Sequence, residues 1–344
     1  MEIFEFSEKN REKWDEFVRK NSRGSIHQIS DWKNLQQKIP GRGQIFGFGA
    51  KKKSGEILAT VFCTKMSTGF FGKFWFYSAR GPVFCPQKNA AAGKFLIEKT
   101  AEILKKTGAI FWRFEPYFSR DEMKNLNLRA KIATQNYQPT DTLEINLQKS
   151  DAEILAQMKR KGRYNTRLAE KKNIKIEIFE NGNFSEKELD DFLRLDAETT
   201  ARNNFSSPEK IFYQNFLQIL KKNSALFFAT FEKKRIAAAI LTFCEKHAIY
   251  YFGASTSQKK FRNLMAPYFL HFSMMKFARA KNCEIYDFLG IAPENSKNHP
   301  FEKISEFKKK FGGRRKIYAA GREIVLQNFW YFFYRAAKFF CRKN

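Results

Sequence analysis

Residues 158–172 have the sequence MKRKGRYNTRLAEKK, with seven basic side chains against a single acid, Glu170. Just upstream, Ser150 and Glu153 have the spacing of a capping box, in which each side chain accepts from the other residue's backbone N–H. We therefore predict a helix that begins at Asp151. On a helical wheel its small and apolar residues share one side: Leu155, Met158, Gly162, Asn165 and Ala169. Another side holds Arg160, Arg163, Tyr164, Arg167 and Lys171.

The arginine-rich side of this helix suits contact with phosphate groups, because a guanidinium presents a fork of N–H donors. A basic face exposed only to water is an equally good interpretation of the helix alone. The chain carries 63 Lys and Arg against 35 Asp and Glu, a formal charge of +28. Such an excess attracts nucleic acid, anionic lipid or phosphorylated substrates. Because AT-rich coding also enriches lysine, we give arginine clusters more weight than scattered lysines.

Similar series of elements precede and follow this basic segment. Alternating and apolar stretches predict three strands, a helix and a strand at residues 44–50, 56–65, 73–78, 90–107 and 109–114. The same order returns at residues 225–231, 236–243, 247–252, 265–281 and 284–288. Chance recurrence of common elements is the alternative, but two copies favour a duplicated α+β fold over one doubly wound sheet. For a chain of 344 residues we expect two domains, 1–148 and 149–317.

Cysteine and histidine are sparse and scattered. There are five cysteines without a CxxC pair and only four histidines, which argues against a metal site. An odd number of thiols suits a reducing cytoplasm, and the N-terminus has no signal-peptide core. No apolar run is long enough to span a bilayer. We therefore expect a cytoplasmic protein with these thiols unpaired: Cys63, Cys85, Cys244, Cys283 and Cys341.

The segment after Gly313 differs in composition, because aromatic and basic residues are interleaved in it. Its aromatic and aliphatic residues are Ile324, Val325, Leu326, Phe329, Trp330, Phe332, Phe333, Phe339 and Phe340. Its basic residues are Arg335, Lys338, Arg342 and Lys343. A helix of this kind can lie peripherally on an anionic membrane surface. We favour the other interpretation, in which residues 318–344 pack back on the first domain.

Six further motifs occur along the chain. They are RGP at 80–82, WRFEP at 112–116, YFGAS at 251–255, APY at 266–268, YDFLG at 286–290 and FKKKFGG at 307–313. Together with RYNTRLAEKK, and in this order, they resemble the Fem-type (FemABX) peptidoglycan-bridge aminoacyltransferases over nearly the whole chain. The resemblance implies two tandem GNAT-like domains, the fold of the acyl-CoA N-acyltransferases. With no insertion between Phe205 and Ala225, the chain is similar to the compact subtype without a helical tRNA arm.

The resemblance also implies an activity, which is transfer of an amino acid from aminoacyl-tRNA to the stem peptide of a peptidoglycan precursor. The acceptor would be lipid II or UDP-MurNAc-pentapeptide. Because aminoacyl-tRNA is already an activated ester, no ATP, metal or cofactor is expected. The attacking amine must lose a proton, and the tetrahedral oxyanion must be stabilised. The chain has neither a GxSxG elbow nor a histidine-centred motif, which argues against a serine acyl-enzyme.

Two residues are predicted to be catalytic. The family pattern places a lysine at Lys308 near the reacting carbonyl, where an ammonium would stabilise the oxyanion. The alternative is an ordinary charged loop, although Phe307 and Phe311 flank it. Glu115 resembles the acidic position of the family's first domain and would accept a proton or orient the amine. It ends a strand before a proline, so an ordinary strand-end acid is an equal interpretation.

The substrate contacts expected from the resemblance are spread over both domains. Arg202 resembles the arginine that grips the precursor's pyrophosphate, and Tyr250 or Tyr251 would hydrogen-bond the peptide unless they are core tyrosines. A lysine after Trp32 is expected to contact phosphate, and Lys33 and Lys38 both qualify. Four residues of the basic helix are assigned to the tRNA backbone: Arg160, Arg163, Arg167 and Lys171.

Two other functions remain as alternatives. An acyl-CoA-dependent GNAT enzyme binds pyrophosphate at a glycine-rich turn before a helix. Residues 261–267, FRNLMAP, lack those glycines, so bulky side chains would obstruct the CoA phosphates. A non-enzymatic RNA-binding module would need only the basic helix face. The sequence leaves open which amino acid is transferred, which acceptor is used and the oligomeric state.

Overall fold

The computed structural model describes residues 1–203, 205–296 and 299–340. Cys341, Arg342 and Lys343, and the side chains of Phe339 and Phe340, lie outside the described part. The chain divides into two compact units. The first unit contains Met1–Thr140 and the described residues from Ile317 onward, and the second is Asp141–Lys316.

Seven described strands form the sheet of the first unit. In sheet order they are β1 (Glu2–Glu5), β2 (Arg42–Lys51), β3 (Ile57–Ser67), β4 (Phe74–Ala79), β5 (Phe111–Glu115), β14 (Arg322–Val325) and β6 (Lys131–Ile132). Its helices are α1 (Arg11–Lys20), α2 (Ser30–Gln37), α3 (Pro86–Lys106), α4 (Arg120–Asn125) and α12 (Asn328–Phe340). Neighbouring strands are antiparallel except β4 and β5, which run parallel because α3 crosses between them.

The second unit is built on a comparable sheet. In sheet order its described strands are β13 (Arg314–Ile317), β7 (Asp141–Asn146), β12 (Ile285–Gly290), β11 (His247–Ser255), β10 (Lys234–Cys244), β9 (Ser224–Phe231) and β8 (Lys175–Glu180). Its helices are α5 (Asp151–Gln157), α6 (Arg160–Lys171), α7 (Glu186–Asn203), α8 (Lys210–Ile219), α9 (Lys259–Arg262), α10 (Ala266–Ala280) and α11 (Glu302–Lys308). Strands β11 and β12 are parallel and are joined through α10.

The predicted duplication of an α+β arrangement is confirmed. In the first unit β2, β3 and β4 form an antiparallel series that leads through α3 to the parallel strand β5. In the second unit β9, β10 and β11 lead through α10 to β12 in the same way. The apolar faces of both crossover helices lie on their sheets, with Leu96 and Ile97 of α3 and Met274 and Met275 of α10 fully buried.

The expected boundary at residues 148 and 149 is displaced. Strand β7 belongs to the second unit, because it pairs antiparallel with β12, with Glu144 opposite Asp287. The division therefore lies between Thr140 and Asp141. The chain returns to the first sheet at β14, which pairs with β5.

The single helix predicted from Asp151 is two helices. Its start is as predicted, with the Ser150 hydroxyl accepting from Glu153 N and the Glu153 carboxylate accepting from Ser150 N at 2.8 Å. The chain leaves the helical conformation at Met158, which has ψ 144°. There Lys159 N donates to the Lys310 carbonyl at 3.0 Å, an interaction that a continuous helix would not allow.

The C-terminal helix α12 lies on the first unit. Tyr331 and Tyr334 are buried against Phe111, with ring centroids 5.5 and 4.9 Å away. The opposite side of the helix, with Phe329 and Phe332, is exposed. No helix in the described ranges is both long and apolar enough to cross a membrane.

Candidate functional site

A buried lysine at the end of α11 is the centre of the candidate site in the second unit. The Lys308 side chain is 6% exposed, and its ammonium donates to the carbonyl of Gly290 at 2.7 Å. Gly290 is the last residue of β12. The site therefore forms where the parallel strand after the crossover helix ends, and α11 carries the lysine to that point.

Aromatic rings surround the lysine. Its ammonium lies 5.9 Å from the ring centroid of Tyr250, and the His271 ring lies 4.4 Å from the same tyrosine. His271 also contacts Phe307 at 5.4 Å and Phe311 at 5.0 Å between ring centroids. The surroundings are consequently apolar and exclude water, which strengthens electrostatic interactions.

Burial governs the charge state of Lys308. Desolvation lowers the pKa of its ammonium to about 8, and the nearby Asp287 carboxylate opposes that shift. Asp287 itself accepts hydrogen bonds from the Thr142 hydroxyl and, at 2.7 Å, from Leu289 N. Lys308 makes no ion pair with any residue in the described ranges. A lysine in this environment remains charged at neutral pH yet can give up a proton readily.

Sequence reasoning missed His271, which lies beside the lysine. Its Nδ1 shares a hydrogen bond of 2.7 Å with the Tyr286 hydroxyl. Burial first, and then the charge of Lys308, hold the pKa of His271 well below its usual range, so the imidazole is neutral. A lone histidine in the apolar helix α10 has no motif around it, and only the fold reveals its position.

The predicted basic helix begins against the segment that follows Lys308. A Cβ added to Gly162 would lie 2.2 Å from the Lys310 carbonyl oxygen, so only glycine permits this contact. At Gly312, whose φ is +74°, an added Cβ would lie 2.3 Å from the Gln157 carbonyl. The FKKKFGG and RKGRYN motifs thus belong to one packed unit, although about 150 residues separate them in the sequence.

The stripe of basic residues on α6 is only partly as predicted. Arg160, Arg167 and Lys171 are exposed, and none forms an ion pair within the described part of the chain. Arg163 differs, because its guanidinium turns back and donates to the carbonyls of Ala156 at 2.9 Å and Met158 at 3.2 Å. It closes the end of α5. The name basic stripe is used below for Arg160, Arg167 and Lys171.

A cavity of about 520 Å³ opens beside the basic stripe's helix and α11. Three cationic side chains line it: Lys159, Lys309 and Arg315. Three carboxylates line it as well: Glu294, Glu302 and Glu306. The mixed charge suits a polar ligand with both donor and acceptor groups.

The two predicted tyrosines lie on opposite faces of β11, as successive strand residues do. Tyr250 faces Lys308 and His271. The Tyr251 ring instead packs 5.1 Å from Phe216 of α8. Only Tyr250 is therefore brought together with the lysine.

Arg202, at the end of α7, is fixed to the end of β11. Its Nη1 donates to the Ser255 carbonyl at 3.1 Å and to the Ser257 hydroxyl at 2.7 Å. Burial and the charge of Arg262 lower the pKa of Arg202, while Glu198 opposes them. Two cationic side chains therefore lie near each other, an arrangement that an anion would stabilise.

Both carboxylate oxygens of Glu115, in the first unit, already accept hydrogen bonds from neighbouring residues. The side chain is buried, and its oxygens accept from Tyr137 N at 2.9 Å, Gln138 N at 2.6 Å and the Tyr77 hydroxyl at 3.0 Å. Burial raises the pKa of Glu115, and the two backbone donors and Arg80 oppose that shift. The carboxylate connects the end of β5 to the 137–138 loop.

The two candidate lysines of the first unit differ in environment. Lys33, on α2, is partly buried and its ammonium lies 5.2 Å from the centroid of the Phe6 ring. Lys38 is exposed at the C-terminal end of the same helix, where its backbone N–H donates to the Leu35 carbonyl at 3.0 Å. Within the described ranges no cluster of His, Cys, Asp and Glu has the arrangement of a metal site.

The fold defines the class of protein. A tandem GNAT protein from the clavulanic acid biosynthesis pathway superposes with a TM-score of 0.54 at 10% identity, covering 94% of this chain and 98% of its own. A crystal structure of FemX superposes with a TM-score of 0.84 at 19% identity, covering 97% of this chain and 99% of its own. Both units are consequently GNAT-like.

The sequence then gives the family. The profile of the FemAB family matches residues 10–127, 123–235 and 230–338. A relative named lipid II:glycine glycyltransferase, from Staphylococcus haemolyticus, is 21% identical over 87% of both chains. The chain belongs to the FemAB family, which confirms the resemblance drawn from its motifs.

Proposed function

We propose that this protein transfers an amino acid from aminoacyl-tRNA to an amine of the stem peptide in a peptidoglycan precursor. The observation that carries the proposal is the buried Lys308, which has no ion-pair partner among the described residues and lies in the segment packed against the helix of the basic stripe. The relative named for lipid II supports a lipid-linked acceptor. The soluble precursor UDP-MurNAc-pentapeptide has the same stem amine.

The reaction forms one amide bond and breaks one ester bond. The neutral amine attacks the carbonyl of the aminoacyl ester, and a negative charge develops on the carbonyl oxygen. The Lys308 ammonium, in its apolar surroundings, stabilises that oxyanion. When the intermediate collapses, the C–O bond to the terminal ribose breaks and the ribose oxygen takes a proton. The amine's surplus proton leaves to solvent.

The donor in this proposal lies along the basic stripe. Three exposed cations with no ion-pair partner in the described ranges can each neutralise a phosphate of the tRNA backbone. Arg163 is assigned a positioning role, because its guanidinium is occupied by the α5 carbonyls. Since aminoacyl-tRNA is a cytoplasmic substrate, we propose that the protein acts on the cytoplasmic side of the membrane.

The precursor's phosphates are assigned to Arg202. Its fixed guanidinium and the adjacent charge of Arg262 favour an anion with two or more oxygens. Tyr250, next to Lys308, is the better candidate for a contact with the stem peptide than Tyr251, which packs on Phe216. Lys33 and Lys38 remain predicted phosphate contacts.

Glu115 is proposed as a positioning residue. Both of its oxygens are already used by the 137–138 loop and by Tyr77. Its task is then to fix that loop, and the proton of the amine is left to solvent.

Use of an acyl-CoA is the less well supported alternative. Helix α10, which follows α9 and leads to β12, begins at Ala266 with Pro267 in its first turn, so one backbone N–H that could bind pyrophosphate is missing. A module that only binds RNA would not need a buried lysine without an ion-pair partner.

The test supplies both candidate donors to the intact protein. Total aminoacyl-tRNA and labelled precursor are incubated with it, with and without added acyl-CoA, and the product is identified by mass spectrometry. The expected product is heavier than the precursor by one aminoacyl residue, and pretreatment with RNase abolishes it. A product that survives RNase and requires added acyl-CoA would replace this proposal with the alternative.

A further inference from the structure

An exposed aromatic surface covers one side of the first unit. Phe71, in the turn between β3 and β4, is 82% exposed, and Phe329 and Phe332 of α12 are 66% and 71% exposed. Trp330 joins the two segments, with its ring centroid 6.0 Å from Phe71 and 5.5 Å from Phe329. We name Phe71, Phe329, Trp330, Phe332 and Phe333 the aromatic surface.

Phe329, Phe332 and Phe333 are exposed and are not needed to hold α12 in place, whereas Trp330 is partly buried against the core of the first unit. The helix is anchored by the buried side chains of Tyr331 and Tyr334, which pack on Phe111 and lie on its other side. An apolar patch of several adjacent phenylalanines costs free energy in water and marks an interaction site.

The charged residues in the two segments that carry the aromatic surface are all basic. Residues 67–73 and 326–344 contain no Asp or Glu. The ammonium of Lys73 lies 4.4 Å from the Trp330 ring centroid, and Arg335 and Lys338 are exposed on the same helix. A partner of negative charge with an apolar layer beneath it would complement both features.

We propose that the aromatic surface docks on an anionic phospholipid bilayer. Aromatic rings are favoured at the boundary between headgroups and acyl chains, and lysine and arginine pair with the acidic headgroups. With 13 residues, α12 would span only about 20 Å, so it would lie in the interface. A second copy of this chain fits less well, because it would bring an equally positive surface against the first.

This inference goes beyond the proposed function and does not rest on it. The aromatic surface contains none of the residues assigned to tRNA, precursor or catalysis. The test below uses no substrate, so its failure and the failure of the transfer assay are separate results.

The experiment is co-sedimentation of the full chain with vesicles of phosphatidylcholine alone or of phosphatidylcholine with 30% phosphatidylglycerol, about the proportion that gives a strongly negative surface. We expect binding to the anionic vesicles only. The double variant Phe329→Ser with Phe332→Ser should lower the bound fraction at least tenfold. Its matched control, Phe205→Ser with Ile211→Ser, removes two side chains that are also more than half exposed, 54% and 51%, and should bind as wild type does.

Two results would overturn the proposal. If the Phe329 and Phe332 variant binds anionic vesicles as strongly as the control, the net charge of the chain alone explains adhesion. If the wild-type protein does not bind vesicles but is a dimer by light scattering, and the Phe329 and Phe332 variant is a monomer, the aromatic surface binds a second copy of the chain. Unchanged thermal unfolding of both variants is the check that each is folded.

Discussion

Each unit contains a buried charged side chain, but the charge is paired in the first unit and unpaired among the described residues of the second. In the first unit, Arg113 and Glu323 are 1% and 0% exposed and form an ion pair, with Arg113 Nε donating to the Glu323 carboxylate at 2.8 Å. Glu323 also accepts from the Tyr331 hydroxyl. In the second unit, Lys308 is also buried, at 6% exposed, but its ammonium donates to one carbonyl and has no ion-pair partner in the described ranges. The first charge is neutralised and structural, whereas the second is available for chemistry.

The comparison identifies the second unit as the one that holds a buried charge without an ion-pair partner in the described ranges. A buried charge without a counter-ion raises the free energy of the fold, and sites with such groups are candidates for function. Glu115 illustrates the other outcome, because its acceptors are filled by its own unit. Glu115 in WRFEP and Lys308 in FKKKFGG are both predicted from the sequence to be catalytic, but their environments differ and we propose different roles for them.

Breaking the buried Arg113–Glu323 ion pair should have the largest effect, which is a loss of stability. Glu323→Gln leaves the Arg113 guanidinium buried without its counter-charge, which costs about 3–5 kcal/mol in the free energy of unfolding. Urea denaturation measures the loss. The exposed pair Lys99–Glu102 is the control, and Lys99→Met should cost less than about 1 kcal/mol. Equal losses for the two variants would mean that burial does not distinguish these pairs.

Removing the charge of Lys308 should lower the rate of aminoacyl transfer. Lys308→Met keeps most of the length and removes the ammonium, so single-turnover transfer should fall by roughly a hundredfold or more, about 3 kcal/mol. Both substrates should still bind. Lys309→Met is the matched control, because that neighbouring lysine is exposed and paired with Glu306 at 3.1 Å.

If Lys308→Met lowers only tRNA affinity, or if Lys309→Met loses as much rate, the lysines form a phosphate-binding cluster. The catalytic assignment would then be wrong. Thermal unfolding of both variants separates a loss of rate from a loss of fold.

The exposed charges of the second unit should have a smaller and salt-dependent effect. Arg160→Ala with Arg167→Ala removes two phosphate contacts, so the slope of log affinity for tRNA against log salt should become shallower by about 1.5. Titrations at four salt concentrations measure it. Lys52→Ala with Lys53→Ala, in the turn between β2 and β3 of the first unit, is the control. If the salt dependence of tRNA binding changes only in the Lys52 and Lys53 variant, the tRNA site lies at that turn and not at the basic stripe.

The fold was predictable where the pattern is local. The strands around the turn at 232–235 are nearly continuous apolar runs bounded by charged residues, so their positions follow from the sequence. The break at Met158 was not predictable, because it depends on the Lys310 carbonyl contributed from a distant part of the chain. The expected domain boundary was displaced for a similar reason, since β7 pairs with β12, which lies about 140 residues later.

The site was predictable only in part. The flanking aromatics and glycines of FKKKFGG indicated a shaped segment, but nothing in the sequence shows that Lys308 is buried and Lys309 exposed. The helical wheel placed Arg163 with the other arginines, yet the carbonyls at the end of α5 capture its guanidinium. No pattern in the sequence indicated that His271 lies beside Lys308.

The pH dependence of single-turnover transfer tests the central claim, that the Lys308 ammonium does the electrostatic work. Burial lowers the pKa of Lys308 to about 8, so the required protonated form is lost as the pH rises through that value. We predict that the wild-type rate bends downward above a pH of about 8. The slower Lys308→Met variant should lack that bend and continue to follow deprotonation of the attacking amine. The same downward bend in both proteins would contradict the account.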